Sequence, residues 1–140
     1  MKRIFYSASI YLLFGCQSCV PLHEDENHHY NIYFHNNSDS DVYIRDDWEY
    51  PDTSVLYDGV YLSPHIYKTT AHSKNDMAFF HREAYESFFR SINDTMVIYV
   101  FDAKKIETEG SHVRDAVIYR YVLSYDDLKR RNWAILYPEN

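Results

Sequence analysis

Cysteine disappears from this chain after position 19. The part that folds therefore has no disulfide, and hydrophobic packing must supply its stability. Glycine and proline are also scarce, at 3 and 4 among 140 residues. So few glycines exclude a Gly-rich phosphate cradle and a Gly-x-Ser-x-Gly nucleophile elbow, and the composition is not that of a disordered chain. The longest apolar run spans Ile4 to Phe14, well short of the roughly 20 residues that carry a helix across a bilayer. Basic residues are few as well. Beyond Lys2 and Arg3, the remaining 12 Lys and Arg face 21 Asp and Glu, a net charge of −9. That balance repels phosphate backbones, and no basic stripe offsets it, so nucleic acid is excluded as a partner.

What is present begins with the first nineteen residues. Lys2 and Arg3 precede the apolar run, which ends in Leu13-Phe14-Gly15-Cys16. A positive start, a short hydrophobic stretch and a small residue form the pattern of a secretory signal. A Cys directly after the small residue resembles the lipobox of bacterial lipoproteins. That resemblance implies cleavage before Cys16, acylation of its thiol by chains such as palmitate, and Cys16 as the mature N-terminus. Cys19, after Ser18, is the alternative acceptor. Buried acyl chains contribute about 0.8 kcal/mol per methylene, so a multiply acylated cysteine holds firmly to a membrane. The expected organisation is a lipoprotein signal peptide over 1–15, an acidic and His-rich flexible tether over 16–29, and a single β-rich globular domain over 30–140.

The domain is rich in aromatics, with 15 Tyr and 8 Phe, and such residues favour strands. Ile32 and Phe34 alternate with polar neighbours, as do Val42 and Ile44, and Asn36-Asn37-Ser38-Asp39-Ser40 separates the two runs. The pattern predicts a hairpin. Further strands are expected over Ile66–Ala71 and Met77–Phe80, with a turn at 72–76 between them. Tyr85, Phe88, Phe89 and Ile92 share one helical face. Thr95–Phe101 is apolar on both faces and is expected at the centre of the core. A polar excursion over Lys104–Asp115 leads to a strand at Val117–Leu123. Ser124 can cap a helix whose first turn carries Asp126 and Asp127 and whose last carries Lys129-Arg130-Arg131. Asn132 suits the left-handed exit, before a closing strand at Trp133–Tyr137. The fold class is mainly β (α+β), an antiparallel β-sandwich-like domain of about seven strands with two short helices.

Several segments together carry a resemblance: the Asn36-Asn37-Ser38-Asp39 connection, Tyr50-Pro51-Asp52-Thr53-Ser54, Asp94-Thr95-Met96 running into Ile98-Tyr99-Val100-Phe101-Asp102, and Tyr121 through Asn132-Trp133 to Tyr137-Pro138. They resemble small uncharacterised lipoproteins of gut Bacteroidetes. The resemblance implies an exported single domain held in the cell envelope, at the outer membrane, and implies no activity. Asp94-Thr95-Met96 also resembles the O-glycosylation acceptor pattern of exported proteins in that group, with Thr95 as the attachment residue.

Chemistry-bearing clusters are weak. His23, Glu24, Asp25, Glu26, His28 and His29 have metal-binding side chains, but adjacent His28 and His29 cannot converge on one ion without a supporting fold. Asn37, Asp39 and Asp41 begin like a calcium loop, yet Val42 and Trp48 stand where Gly and a bidentate Glu are needed. Serines and histidines occur without a nucleophile–base pattern. No metal, no cofactor and no enzymatic activity are expected; a small envelope hydrolase is the contrasting class. The best candidate surface is the aromatic and acidic 48–61 segment, where Trp48, Tyr50, Tyr57 and Tyr61 lie among Asp47 and Asp52. Aromatic faces stack on sugar C–H surfaces while carboxylates accept hydroxyl protons, so a glycan is the ligand this segment suits. The alternative is that these rings fill the sandwich. The expected partners are the membrane, through the lipid, and a glycan or another envelope protein.

Overall fold

The computed structural model describes residues 23–48, 67–81, 83–91, 94–108 and 113–139. Among these residues seven strands appear in chain order: β1 (Asn31–Asn36), β2 (Val42–Asp47), β3 (Tyr67–Thr69), β4 (Ser73–Phe80), β5 (Met96–Asp102), β6 (Val117–Leu123) and β7 (Ala134–Tyr137). They form a three-stranded sheet, β4-β1-β7, and a four-stranded sheet, β3-β2-β5-β6. All pairings are antiparallel except β1 with β7. The domain is a mainly β, sandwich-like α+β fold.

The core follows from strand alternation, which sends every second side chain to the same face. Ile32 and Phe34 from β1, with Ile135 from β7, meet Val42 and Ile44 from β2 and Met96, Ile98 and Val100 from β5. All are fully buried, each contributing about 1.5–3 kcal/mol by leaving water. The opposite face of β5 is covered too. Val97, Tyr99 and Phe101 pack with Val113 and Ala116 in a second cluster. The polar excursion supplies that cover through α2 (Ala103–Ile106) and a 3-10 turn at Val113–Ala116. β5 is thus the central, doubly buried strand its composition predicts.

The expected hairpin between the first two strands does not form. β1 and β2 lie in different sheets, and the Asn-Ser-Asp segment carries the chain from one layer to the other. Asn36 turns that corner. Its fully buried amide donates to the carbonyl oxygens of Ser40, Thr70 and Thr69 at 2.8, 3.1 and 3.2 Å, and its Oδ1 accepts from the Ser38 N–H and hydroxyl. β3 and β4 are likewise split between the sheets. The turn between them falls at 70–72, earlier than the expected 72–76. There His72 takes a positive φ of 53° and its ring contacts Asp39 at 2.8 Å.

Two further helices flank the sandwich, α1 (Tyr85–Ser91) and α3 (Tyr125–Arg130), so the described residues hold three short α-helices rather than two. α3 begins as its sequence dictates. The Ser124 hydroxyl accepts from Asp127 N–H, and the Asp127 carboxylate accepts from Ser124 N–H, a reciprocal capping box. It ends with Asn132 in the left-handed region, where Asn132 N–H reaches Lys129 and Trp133 N–H reaches Leu128. Trp133 also adopts a positive φ, of 59°, so β7 starts one residue later than expected.

The tether reading changes at its end. Glu24 accepts four donors: Tyr30 N–H, Asn31 N–H, the Asn31 amide and the Tyr33 hydroxyl, all within 2.9–3.0 Å. A backbone bridge closes Asp25 on His28. Residues 24–29 are therefore built into the domain. Their polar composition conceals this, because their partners are β1 backbone groups and a distant helix.

Candidate functional site

α1, α3 and the 24–29 segment converge on one corner of the sandwich. Four residues after Tyr85 comes Phe89, and both rings are buried. Around them gather Trp48, Phe88, Tyr125 and Trp133 in continuous ring contact. The Tyr85 hydroxyl donates to Phe79 O at 2.8 Å, and burial, then the nearby Asp46 charge, pushes its phenol far above the ordinary range. It is a fixed neutral donor.

His29 completes this corner. Its carbonyl accepts Tyr85 N–H at 2.8 Å, its N–H donates to Glu86 Oε2 at 3.0 Å, and its Nδ1 lies 2.6 Å from Glu86 Oε1. The imidazole lies flat on the Trp133 indole, with centroids 4.3 Å apart and planes 16° from parallel. Both side chains of the dyad are largely buried, His29 at 21% and Glu86 at 11% exposure. Trp133 itself is held in a backbone region that a bulky residue seldom occupies, and strain of this kind gathers at functional positions.

Beside the dyad opens a cleft of about 420 Å³ lined by Glu86, Phe89, Arg90, Asp94 and Tyr125. Asp94, also at positive φ, accepts Tyr125 N–H at 3.4 Å. Tyr125, Arg90 and Asp94 line it beside the buried Phe89 ring and the Glu86 carboxylate that His29 engages. One aromatic face with charged groups around it suits a polar ring-shaped ligand, the face for its C–H surface and the charges for its hydroxyls. A second cleft, of about 510 Å³, opens near Lys68. Three of its charges already pair with one another. Lys68 contacts Glu107 at 2.6 Å and Asp41 at 3.3 Å, and Glu107 also accepts the Tyr43 hydroxyl. Lys68 chiefly holds the Glu107 carboxyl below its ordinary range, whereas for Asp41 the Ala71 N–H does more than Lys68.

Of the residues singled out from sequence, Trp48 is partly buried and packs into the aromatic corner. Its ring stacks on Tyr85 at 6.0 Å and meets Phe88 edge-on at 4.5 Å, while its N–H donates to Asp46 at 2.7 Å. The open platform expected of it is a packed one. Asp47 lies opposite Val97 and is buried, so it faces the second cluster rather than joining Trp48. Tyr50, Asp52, Tyr57 and Tyr61 lie outside the described residues, as do Cys16 and Cys19. Thr95 is partly buried directly before β5, between exposed Asp94 and fully buried Met96. Among the described residues no cluster of three or more His, Cys, Asp or Glu is arranged to hold a metal, and no helix is long and apolar enough to cross a membrane.

Sequence reasoning missed His29, Glu86 and Trp133 as a unit. Glu86 is explained locally as an acid in a first helical turn, and His29 by the polar run around it. Their meeting is a long-range event with no local signature. Comparison with protein-family models, curated proteins and solved structures finds no match.

Proposed function

We propose that this chain is an exported lipoprotein, acylated at Cys16, whose sandwich serves at the cell envelope, in the outer membrane, as a binding or structural module rather than an enzyme. One observation carries the reading: Lys2-Arg3, the apolar run and Leu13-Phe14-Gly15-Cys16 stand in the order that export and acylation need. The cleft beside Glu86 supports binding as the role of the domain. O-glycosylation at Thr95 belongs to the same proposal, and mass spectrometry of the native protein tests it.

The alternative is a glycan-binding role for the 48–61 segment, of which Trp48 packs its partly buried ring on Tyr85 and Phe88. The decisive experiment is fractionation of Cys16→Ala. The native protein is expected in the membrane fraction with a diacylated or triacylated N-terminal cysteine, and the variant in the soluble fraction. A variant that stays at the membrane, or a native chain with a free Cys16 thiol, defeats the reading.

A further inference from the structure

We propose that the Trp133 indole face and the Glu86 carboxylate form a saccharide-binding site that the chain's own His29 side chain occupies. This rests on reading the domain as a binding module and gives that module a ligand class.

The imidazole behaves as an internal ligand. It is a flat ring lying 4.3 Å above the indole, and it presents one polar edge to Glu86 Oε1 at 2.6 Å. A pyranose ring makes the same two contacts, a C–H face on an indole and a hydroxyl into a carboxylate. The backbone does not depend on that side chain. The N–H and carbonyl of His29 bond independently to Glu86 Oε2 and Tyr85 N–H, so the imidazole can leave while the segment stays docked. Its departure bares the indole face and frees Oε1, whereas Oε2 remains engaged.

The vacated space joins the open cleft through Glu86, which belongs to both. A saccharide with its first ring on Trp133 would extend over Tyr125, its outer hydroxyls meeting Arg90 and Asp94 at the rim. Tyr125 already touches Trp133 edge-on at 5.9 Å, making the aromatic floor continuous. Self-occupancy lowers apparent affinity by the fraction of time the imidazole is in place. Native protein therefore binds weakly, and removal of the side chain unmasks the site.

The test uses the full chain with Trp48→Phe, leaving Trp133 as the reporting tryptophan. His29→Ala is expected to take up free imidazole, read as a Trp133 emission change that the His29-containing chain does not show. The same variant is expected to bind oligosaccharides from an array of hexose and N-acetylhexosamine oligomers, with affinity on the order of ten- to hundred-fold above the His29-containing chain. Adding Glu86→Gln should abolish that gain. If His29→Ala does not fold, His29→Ser, whose side chain ends short of both the indole and Oε1, takes its place. Imidazole uptake without saccharide binding overturns the proposal, leaving a latch. Equal affinity with and without His29, or a folded variant that binds neither probe, overturns it too. None of these outcomes depends on Cys16, so anchoring and ligand class fail separately.

Discussion

Asn36, at the end of a strand in one sheet, donates its side-chain amide to the Thr69 carbonyl oxygen of the other at 3.2 Å. The same fully buried amide reaches Ser40 and Thr70, so one residue closes the corner where the chain changes layers. Replacing it strips a donor from the buried Thr69 carbonyl and leaves those of the exposed Ser40 and Thr70 to water. Asn36→Ala should lower the unfolding free energy by about 2 kcal/mol, the cost of stranding a buried polar group. Urea unfolding measures it; a loss under about 1 kcal/mol would show that the corner is held by something else.

How far the fold is legible in the sequence depends on the range of the interaction. β5 is legible because six successive buried residues, Met96 to Phe101, leave a continuous apolar run. α3 is legible because its cap, dipole charges and exit residue lie within ten positions of one another. The β1 and β2 runs announce which face is buried but not which strand lies alongside, since alternation of side chains fixes orientation and not pairing. An Asn-Ser-Asp connection serves a hairpin or a sheet-to-sheet corner equally well, and the difference lies in where the Asn36 amide finds acceptors. α2, one turn long and set among Lys and Glu, has no apolar period to detect. The site was hidden for the same reason as the corner: Glu86 meets His29 across 57 positions.

The capping box of α3 gives a pH-dependent expectation. The Ser124 hydroxyl, then its N–H and Arg130, hold the Asp127 carboxyl below its ordinary range. A carboxyl depressed in the folded state adds stability above its unfolded pKa of about 3.9 and loses it as pH falls through the folded value. Ser124→Ala removes the largest of these contacts and should cost about 1 kcal/mol at neutral pH. The difference from native should shrink below about pH 4, as chemical unfolding at several pH values would record. A difference that grows in acid would contradict the assignment.

Trp48 offers a choice between core and platform. Its ring is shared among Tyr85, Phe88 and Phe89, so Trp48→Ala should cost about 3 kcal/mol, the low end for removing a packed aromatic because this one is only partly covered. Trp48→Phe should restore most of that. Neither change should alter glycan-array binding by the folded protein. Lost glycan binding with stability intact would return Trp48 to the role its neighbours in sequence suggest.

Glu24 ties the segment ahead of β1 to the start of that strand. Its Oε1 accepts Tyr30 N–H, Asn31 N–H and the Asn31 amide, and its Oε2 accepts the Tyr33 hydroxyl. Charge-assisted bonds of this kind are about twice as strong as neutral ones. Glu24→Ala leaves the two backbone donors to water, and because they sit at the start of β1 the loosening should stay local. Hydrogen exchange at Tyr30 and Asn31 should quicken by roughly ten- to hundred-fold, while the amides of β5 keep their protection. His29 should feel it less, since Glu86 and Tyr85 hold it separately. Uniformly faster exchange across both sheets would mean that residues 24–29 are part of the folding core itself. Unchanged exchange would mean that Glu24 merely rests on a strand already fixed.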